Sequence, residues 1–156
     1  MKYILILSIL LSSLIFSQEL KITADTFSAD EMKGLSIFTG HVNILKKNDE
    51  LNASKVSIYT DAKNQPTKFV AIGNVSFKIE TKTKAKYEGV ANKVIYLPLK
   101  KEYRFYENVY LKQINEKKEI KGDEVILNTN DGKAYAKGLK KEPVIMIFNL
   151  EDKEEK

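Results

Sequence analysis

The sequence predicts an all-β fold of short antiparallel strands, and three observations predict it. Segments of alternating apolar and polar residues, rich in Val, Ile, Tyr, Phe and Thr, recur over residues 20–150 with little helical periodicity. Gly, Asn, Asp and charged residues separate these segments. Two strand motifs also repeat along the chain, which is typical of an array of stacked β units.

The alternating segments define the expected strands in chain order. The clearest segments are 42–44, 56–58, 75–79, 109–111 and 125–127. The turn-forming stretches between apolar runs are 46–49, 61–66, 115–118 and 130–132. Within the last of these, Asp131-Gly132 is a strong signal for a tight hairpin turn. We therefore expect short strands that follow one another as hairpins.

The first repeated motif begins three similar segments. They start with Gly40-His-Val, Gly73-Asn-Val and Glu107-Asn-Val, and their starts are 33 and 34 residues apart. The third copy departs from the pattern because Glu107 stands where the other two copies have glycine. A repeating unit of this length holds two or more strands and must stack on its neighbours to bury its apolar face.

A second repeated motif alternates with the first. Ala53-Ser-Lys-Val, Ala91-Asn-Lys-Val and Gly122-Asp-Glu-Val share a small residue, two polar residues and then a strand, and Ala24-Asp-Thr-Phe resembles a degenerate first copy. A small residue opening each strand would let the backbone turn sharply or approach its neighbour closely. Stacked hairpins of this kind would form a long trough.

Strand alternation assigns one set of side chains to the inside of this trough. The set is Ile22, Val42, Ile44, Val56, Ile58, Val75, Phe77, Ile79, Val94, Tyr96, Phe105, Val109, Leu111, Val125 and Leu127. These residues are the candidate wall of an apolar groove. An ordinary filled core predicts the same alternation, and a register error of one residue would exchange the two faces.

The charges are mixed along the chain and indicate a soluble surface. The formal net charge is +5, and Lys pairs recur in turn-like stretches. The pairs are Lys46-Lys47, Lys100-Lys101, Lys117-Lys118 and Lys140-Lys141. They are interpreted as solvated loop charges, or alternatively as a rim that attracts an anionic partner such as a phosphorylated lipid.

The sequence contains few residues that could form a catalytic or metal-binding site. The chain has no Cys, and its one His is His41, which is expected to be an exposed strand residue rather than a base. The acidic pairs at 30–31, 49–50 and 123–124 lack calcium-loop spacing. Eight Tyr and seven Phe could stack nucleic-acid bases, but the Lys residues do not cluster with them. We therefore expect that the protein is not an enzyme and that it binds no cofactor, no metal and no nucleic acid.

The N-terminus has the form of a signal peptide. Met1-Lys2 precedes an uncharged apolar run over residues 3–16, shorter than the roughly 20 residues a spanning helix needs. Cleavage is expected after Ser17, which gives an exported domain over 18–150 and a charged tail over 151–156. An uncleaved N-terminal anchor is the alternative.

These motifs together resemble the OstA-like (LptA) family of lipopolysaccharide-transport proteins. The resemblance rests on 22–25, the Gly-x-Val strands, the Ala-x-x-Val strand with Tyr59, and the segments 71–75 and 122–125, and it spans about 20–150. It implies an open, twisted β-jelly-roll of stacked antiparallel strands whose apolar interior groove holds acyl chains. It also implies a periplasmic location.

The resemblance further implies partners. They would be lipopolysaccharide, through its lipid A acyl chains, and the OstA domains of an inner-membrane LptC-like and an outer-membrane LptD-like protein. The apolar C-terminal segment 144–148 would join protomers head to tail, or instead pair as an edge strand inside the domain. Two other functions stay open: an envelope scaffold without bound lipid, and the membrane-anchored LptC-like relative.

Overall fold

The computed structural model describes residues 19–139 and 142–150, and these form ten strands and one short 3₁₀ helix (Ile114–Glu116). The strands are β1 (Leu20–Thr23), β2 (Thr26–Asp30), β3 (Leu35–Lys46), β4 (Asp49–Thr60), β5 (Pro66–Glu80), β6 (Lys86–Leu97), β7 (Glu102–Gln113), β8 (Lys118–Asn128), β9 (Ala134–Lys137) and β10 (Ile145–Phe148). The predicted all-β class is confirmed. The predicted signal peptide, the charged tail and the Lys140-Lys141 pair lie outside the described residues.

All ten strands belong to one antiparallel sheet in the order β1-β3-β4-β5-β6-β7-β8-β10. At one end, β1 pairs with residues 43–46 of β3 and β2 pairs with residues 35–39 of the same strand. At the other end, β9 pairs with residues 124–127 of β8 and β10 pairs with residues 118–121. Each end of the sheet therefore carries two short edge strands that lie end to end along one long strand.

The expectation of short strands, each opened by a small residue, is wrong for the six central strands β3 to β8. The central strands have 11 to 15 residues, and Gly40 and Gly73 lie inside β3 and β5. Each is followed by a second residue with positive φ, and the register shifts between Thr39 and Val42 in the first case. Such β-bulges bend a strand without ending its pairing, so one bent strand looks like two strands in the sequence.

The third copy of the motif forms the same bulge without glycine. Glu107 and Asn108 have φ of 65° and 52°, and the register of β7 shifts beside them. The third copy of the second motif lies opposite this bulge, on β8. Its residue Asp123 is left out of the pairing register with β7. The Ala24 copy lies beside the bulge of β3, where the N–H of Asp25 donates to the Gly40 carbonyl at 2.9 Å.

The line of bulges folds the sheet into two half-sheets that face each other. Phe77 follows the bulge of β5 and Phe105 precedes the bulge of β7, yet their ring centroids are 4.4 Å apart. This contact requires the two half-sheets to close over a shared interior. Across the same interior, the N–H of Lys82 donates to the Thr129 carbonyl at 2.9 Å and closes one end.

The outer face carries a row of alternating charges across neighbouring strands. Lys78, Glu88, Lys112 and Glu119 stand opposite one another in successive strand pairs. Opposite charges at facing positions stabilise an antiparallel sheet modestly and keep its outer face in water. The mixed charge pattern of the sequence is therefore the solvent face of the sheet.

Among residues 19–139 and 142–150, no helix is long and apolar enough to cross a membrane.

Candidate functional site

The predicted inner-face residues all lie on the face shared by the two half-sheets. Most of them are buried: Val42, Val56, Ile58, Val75, Phe77, Ile79, Val94, Phe105, Val109, Leu111, Val125 and Leu127. Ile22, Ile44 and Tyr96 are partly buried and pack against this cluster. The structure thus brings the whole set together, while contact with lipid stays a prediction.

One part of this interior is an open apolar cavity of about 450 Å³. It lies between the ends of the half-sheets near the β3–β4, β4–β5 and β6–β7 turns. The predicted residues that line it are Ile44, Val56, Phe77, Ile79, Val94 and Tyr96, joined by Leu20, Lys46, Asp49, Glu50, Leu51, Asp61, Gln65, Pro66, Phe69, Ala71, Pro98, Leu99 and Tyr103. Leu99 at the rim is 82% exposed, so this end of the interior is accessible from solvent.

The other part of the interior is a filled core. Phe105, Leu111, Val125 and Leu127 are fully buried and do not line the cavity. They belong to β7 and β8, on the far side of the interior from the β3–β4 turn. The two interpretations of the alternating pattern, groove wall and filled core, therefore apply to different regions of one inner face.

Several cavity residues were missed by sequence reasoning. Leu51 is five positions before Val56, so a strict period of two assigns it to the outer face. The bulge in β4 places Ser54 outside the alternation, which restores Leu51 to the inside. Phe69 and Tyr103 needed no such correction, because Tyr103 is two positions before the predicted Phe105. Alternation alone could have identified both.

Aromatic rings form a continuous wall from the rim toward the filled core. Centroid distances are 5.9 Å for Phe69 with Tyr96, 4.4 Å for Tyr96 with Tyr103, and 6.0 Å for Tyr103 with Phe105. Phe77 then contacts Phe105 at 4.4 Å. Such pairs contribute roughly 0.5–1.5 kcal/mol each beyond their buried area, so the ring contacts stabilise this wall.

The rim is polar. The Lys46 ammonium lies 5.7 Å from the centroid of the Tyr96 ring, and Asp49 Oδ1 accepts a hydrogen bond from the N–H of Glu80 at 2.9 Å. Burial raises the pKa of Asp49, an effect only partly offset by that hydrogen bond and by Lys46. Burial also raises the pKa of Tyr103 well above its ordinary value, and the charge of Asp49 adds to this.

His41 lies away from the cavity, at the bulge of β3. Its side chain is 92% exposed, as expected, and its Nδ1 is 2.7 Å from Asp25 Oδ2. Its backbone is in the left-handed region, with φ of 45°. Across residues 19–139 and 142–150, no group of three or more His, Cys, Asp or Glu side chains could hold a metal ion.

Residues 21–133 match the family described as LptA/(LptD N-terminal domain) LPS transport protein. The chain belongs to this family. The resemblance to OstA-like proteins is therefore confirmed, and lipopolysaccharide transport is the process in which the family works. No curated protein matches the chain in sequence.

Solved structures support the fold of this LPS-transport family member. The crystal structure of LptH, the LptA homologous periplasmic component of the lipopolysaccharide transport device from Pseudomonas aeruginosa, is similar with a TM-score of 0.75. The similarity covers 85% of this chain and 96% of that chain at 13% identity. At this identity the likeness shows the fold alone, and it confirms the open β-jelly-roll.

Proposed function

We propose that this protein is a periplasmic lipid carrier, part of a bridge that moves lipopolysaccharide from the inner to the outer membrane. The observation that carries the proposal is the apolar cavity between the half-sheets of an LPS-transport family member. Each methylene group that leaves water for such a surface contributes about 0.8 kcal/mol. Acyl chains can therefore be held without a reaction at this site, and another component must supply the energy for transport.

The cavity volume limits how much lipid can enter without a conformational change. An apolar cavity of about 150 Å³ holds a six-carbon ring, so the volume here corresponds to roughly 18 carbon atoms. That is about one long acyl chain. A lipid with several chains would have to separate the half-sheets further, beginning at the open end of the interior.

The polar rim supports an anionic headgroup outside the cavity. Lys46 lines the cavity and Lys47 follows it in the β3–β4 turn, while Lys100 and Lys101 follow the exposed rim residue Leu99. Two of the Lys pairs thus flank one opening. In this arrangement the acyl chain enters the interior, and the charged head stays in water among the ammonium groups.

The edge strands support assembly into a bridge. Ile145, Met146, Ile147 and Phe148 of β10 are exposed, although β10 pairs with β8 on one side. A strand from another OstA-like domain could extend the sheet at this edge, and β1 and β2 offer the opposite edge. We infer head-to-tail homo-oligomers that dock onto LptC-like and LptD-like domains, so that the interiors form one continuous trough.

Lipid retention tests the carrier function. The protein is purified with and without lipopolysaccharide, and extracted lipid is quantified by mass spectrometry. We expect saturable retention by the wild-type protein and at least fivefold weaker retention by Leu51→Gln, because a buried amide without a partner costs about 1–3 kcal/mol. Leu51 lines the cavity.

Leu45→Gln is the matched control, since Leu45 lies one strand away and does not line the cavity. This variant should retain lipid as the wild type does. If the folded wild-type protein retains no lipid, the carrier proposal is wrong and the protein is a scaffold with a partly filled interior. Equal loss in both variants would contradict the inner face as the binding surface.

A further inference from the structure

The cavity contains a tyrosine hydroxyl that a plain acyl chain would leave unused. Tyr103 is only 9% exposed and lines the cavity. Its hydroxyl has no hydrogen-bond partner within residues 19–139 and 142–150. In that same part of the chain, no unpaired polar side-chain atom of a buried residue is sealed away from solvent, so this hydroxyl keeps accessible surface in a residue that lines the cavity.

Two further polar groups line the same cavity with free capacity. Only Oδ1 of Asp49 accepts a hydrogen bond from a described residue, which leaves Oδ2 available as an acceptor. The Lys46 ammonium faces the Tyr96 ring and has no ion pair with any residue of the described chain. A donor, an acceptor and a cation thus line a cavity whose other lining residues are mostly apolar.

We propose that Tyr103, Asp49 and Lys46 form a polar subsite for a hydroxyl or amide group carried near the head end of a bound acyl chain. This rests on the proposed carrier function. A hydroxyl or an amide N–H can donate to Asp49, and its oxygen can accept from Tyr103 or Lys46. Plain chains leave these groups unpaired, so the cavity prefers acyl chains that bear such a group. Tyr103 is the residue that determines this specificity.

Competition against a fluorescent probe measures the preference. N-phenylnaphthylamine bound to the full-length protein is displaced by decanoate, by β-hydroxydecanoate or by N-octanoylglycine. The second ligand adds a hydroxyl and the third places an amide at a similar position, while all three keep one carboxylate. We expect one or both of the polar ligands to compete about five- to tenfold better than decanoate, as one additional hydrogen bond predicts.

Tyr103→Phe removes the hydroxyl and retains the ring that stacks on Tyr96. We expect this variant to lose the preference for the polar ligands over decanoate. Tyr87→Phe is the matched control, because Tyr87 is also buried on the inner strands but does not line the cavity. That variant should keep the preference.

The outcomes separate this subsite from the carrier function. If the wild-type protein binds all three ligands equally, the polar subsite is wrong and the carrier function stands. A preference that survives in Tyr103→Phe also overturns the subsite. If no ligand displaces the probe from the wild-type protein, both proposals fail together. If only the hydroxyl ligand or only the amide ligand competes better than decanoate, the result supports the subsite and identifies the group that it binds.

Discussion

The carboxylate of Asp49 lies at the boundary between the apolar cavity and the rim, where burial disfavours its ionised form. Burial and the neighbouring Glu80 raise its pKa, whereas the N–H of Glu80 and the ammonium groups of Lys46 and Lys47 lower it. Tyr96 and Tyr103 line the cavity beside it. The net effect is a raised pKa, so the folded protein binds the Asp49 proton more tightly than the unfolded chain does.

The pH dependence of stability follows from this direction. A raised pKa gives a stabilising contribution that is present at acid pH and is lost as the pH rises through the folded-state value. Asp49→Asn removes the penalty of ionisation and keeps an acceptor for the Glu80 N–H. We expect its melting temperature, relative to wild type, to be higher at neutral pH than at about pH 4. A relative stability that instead increases toward acid pH would contradict the assigned cause.

Glycine and left-handed residues at the bulges define the shape of the central strands. Gly73 has φ of +87°, and a Cβ there would be 2.8 Å from Ser54 Oγ and 2.9 Å from Ser54 Cβ. Glu107, the equivalent residue in β7, has φ of 65° with a full side chain. The same bend is therefore relaxed in one repeat and strained in another.

Reciprocal substitutions at these two positions test the role of the bulge. Gly73→Ala should destabilise the protein by about 1–3 kcal/mol, because it adds both backbone strain and a close contact. Glu107→Gly should stabilise it by up to about 1 kcal/mol, since relief of strain exceeds the entropy that glycine adds to the unfolded chain. Urea unfolding measures both values. Equal effects of the same sign would show that the bulges do not control the bend.

The β class and the position of each repeat could be predicted because every repeat carries its own turn residues and alternation. Strand length could not be predicted. The Gly40 and Gly73 motifs look like strand starts, but pairing continues on both sides of the bulge. The bulge in β4 also shifts the alternation at Ser54. Leu51, which precedes Ser54, was therefore missed, whereas Val56, which follows it, was predicted.

At the scale of the whole molecule, the interior has a cavity near the β3–β4 turn and a filled core under β7 and β8. Local sequence could not distinguish these regions, because Phe77 and Phe105 follow the same alternation and only Phe77 lines the cavity. The difference depends on how closely the half-sheets approach, and residues distant in the chain determine that. Under the proposed carrier function, an acyl chain would enter at the polar rim and extend along the aromatic wall toward the filled core.

The central claim is that acyl chains lie between the two half-sheets, and photolabelling of the wild-type protein tests it most directly. A fatty acid with a diazirine at its chain end is bound, irradiated and mapped by mass spectrometry of peptides. We predict labels on cavity residues such as Leu51, Phe77 and Val94, with competition by lipopolysaccharide. Labels confined to outer-face residues such as Ile72 and Val90, which are exposed on the same strands, would contradict the claim.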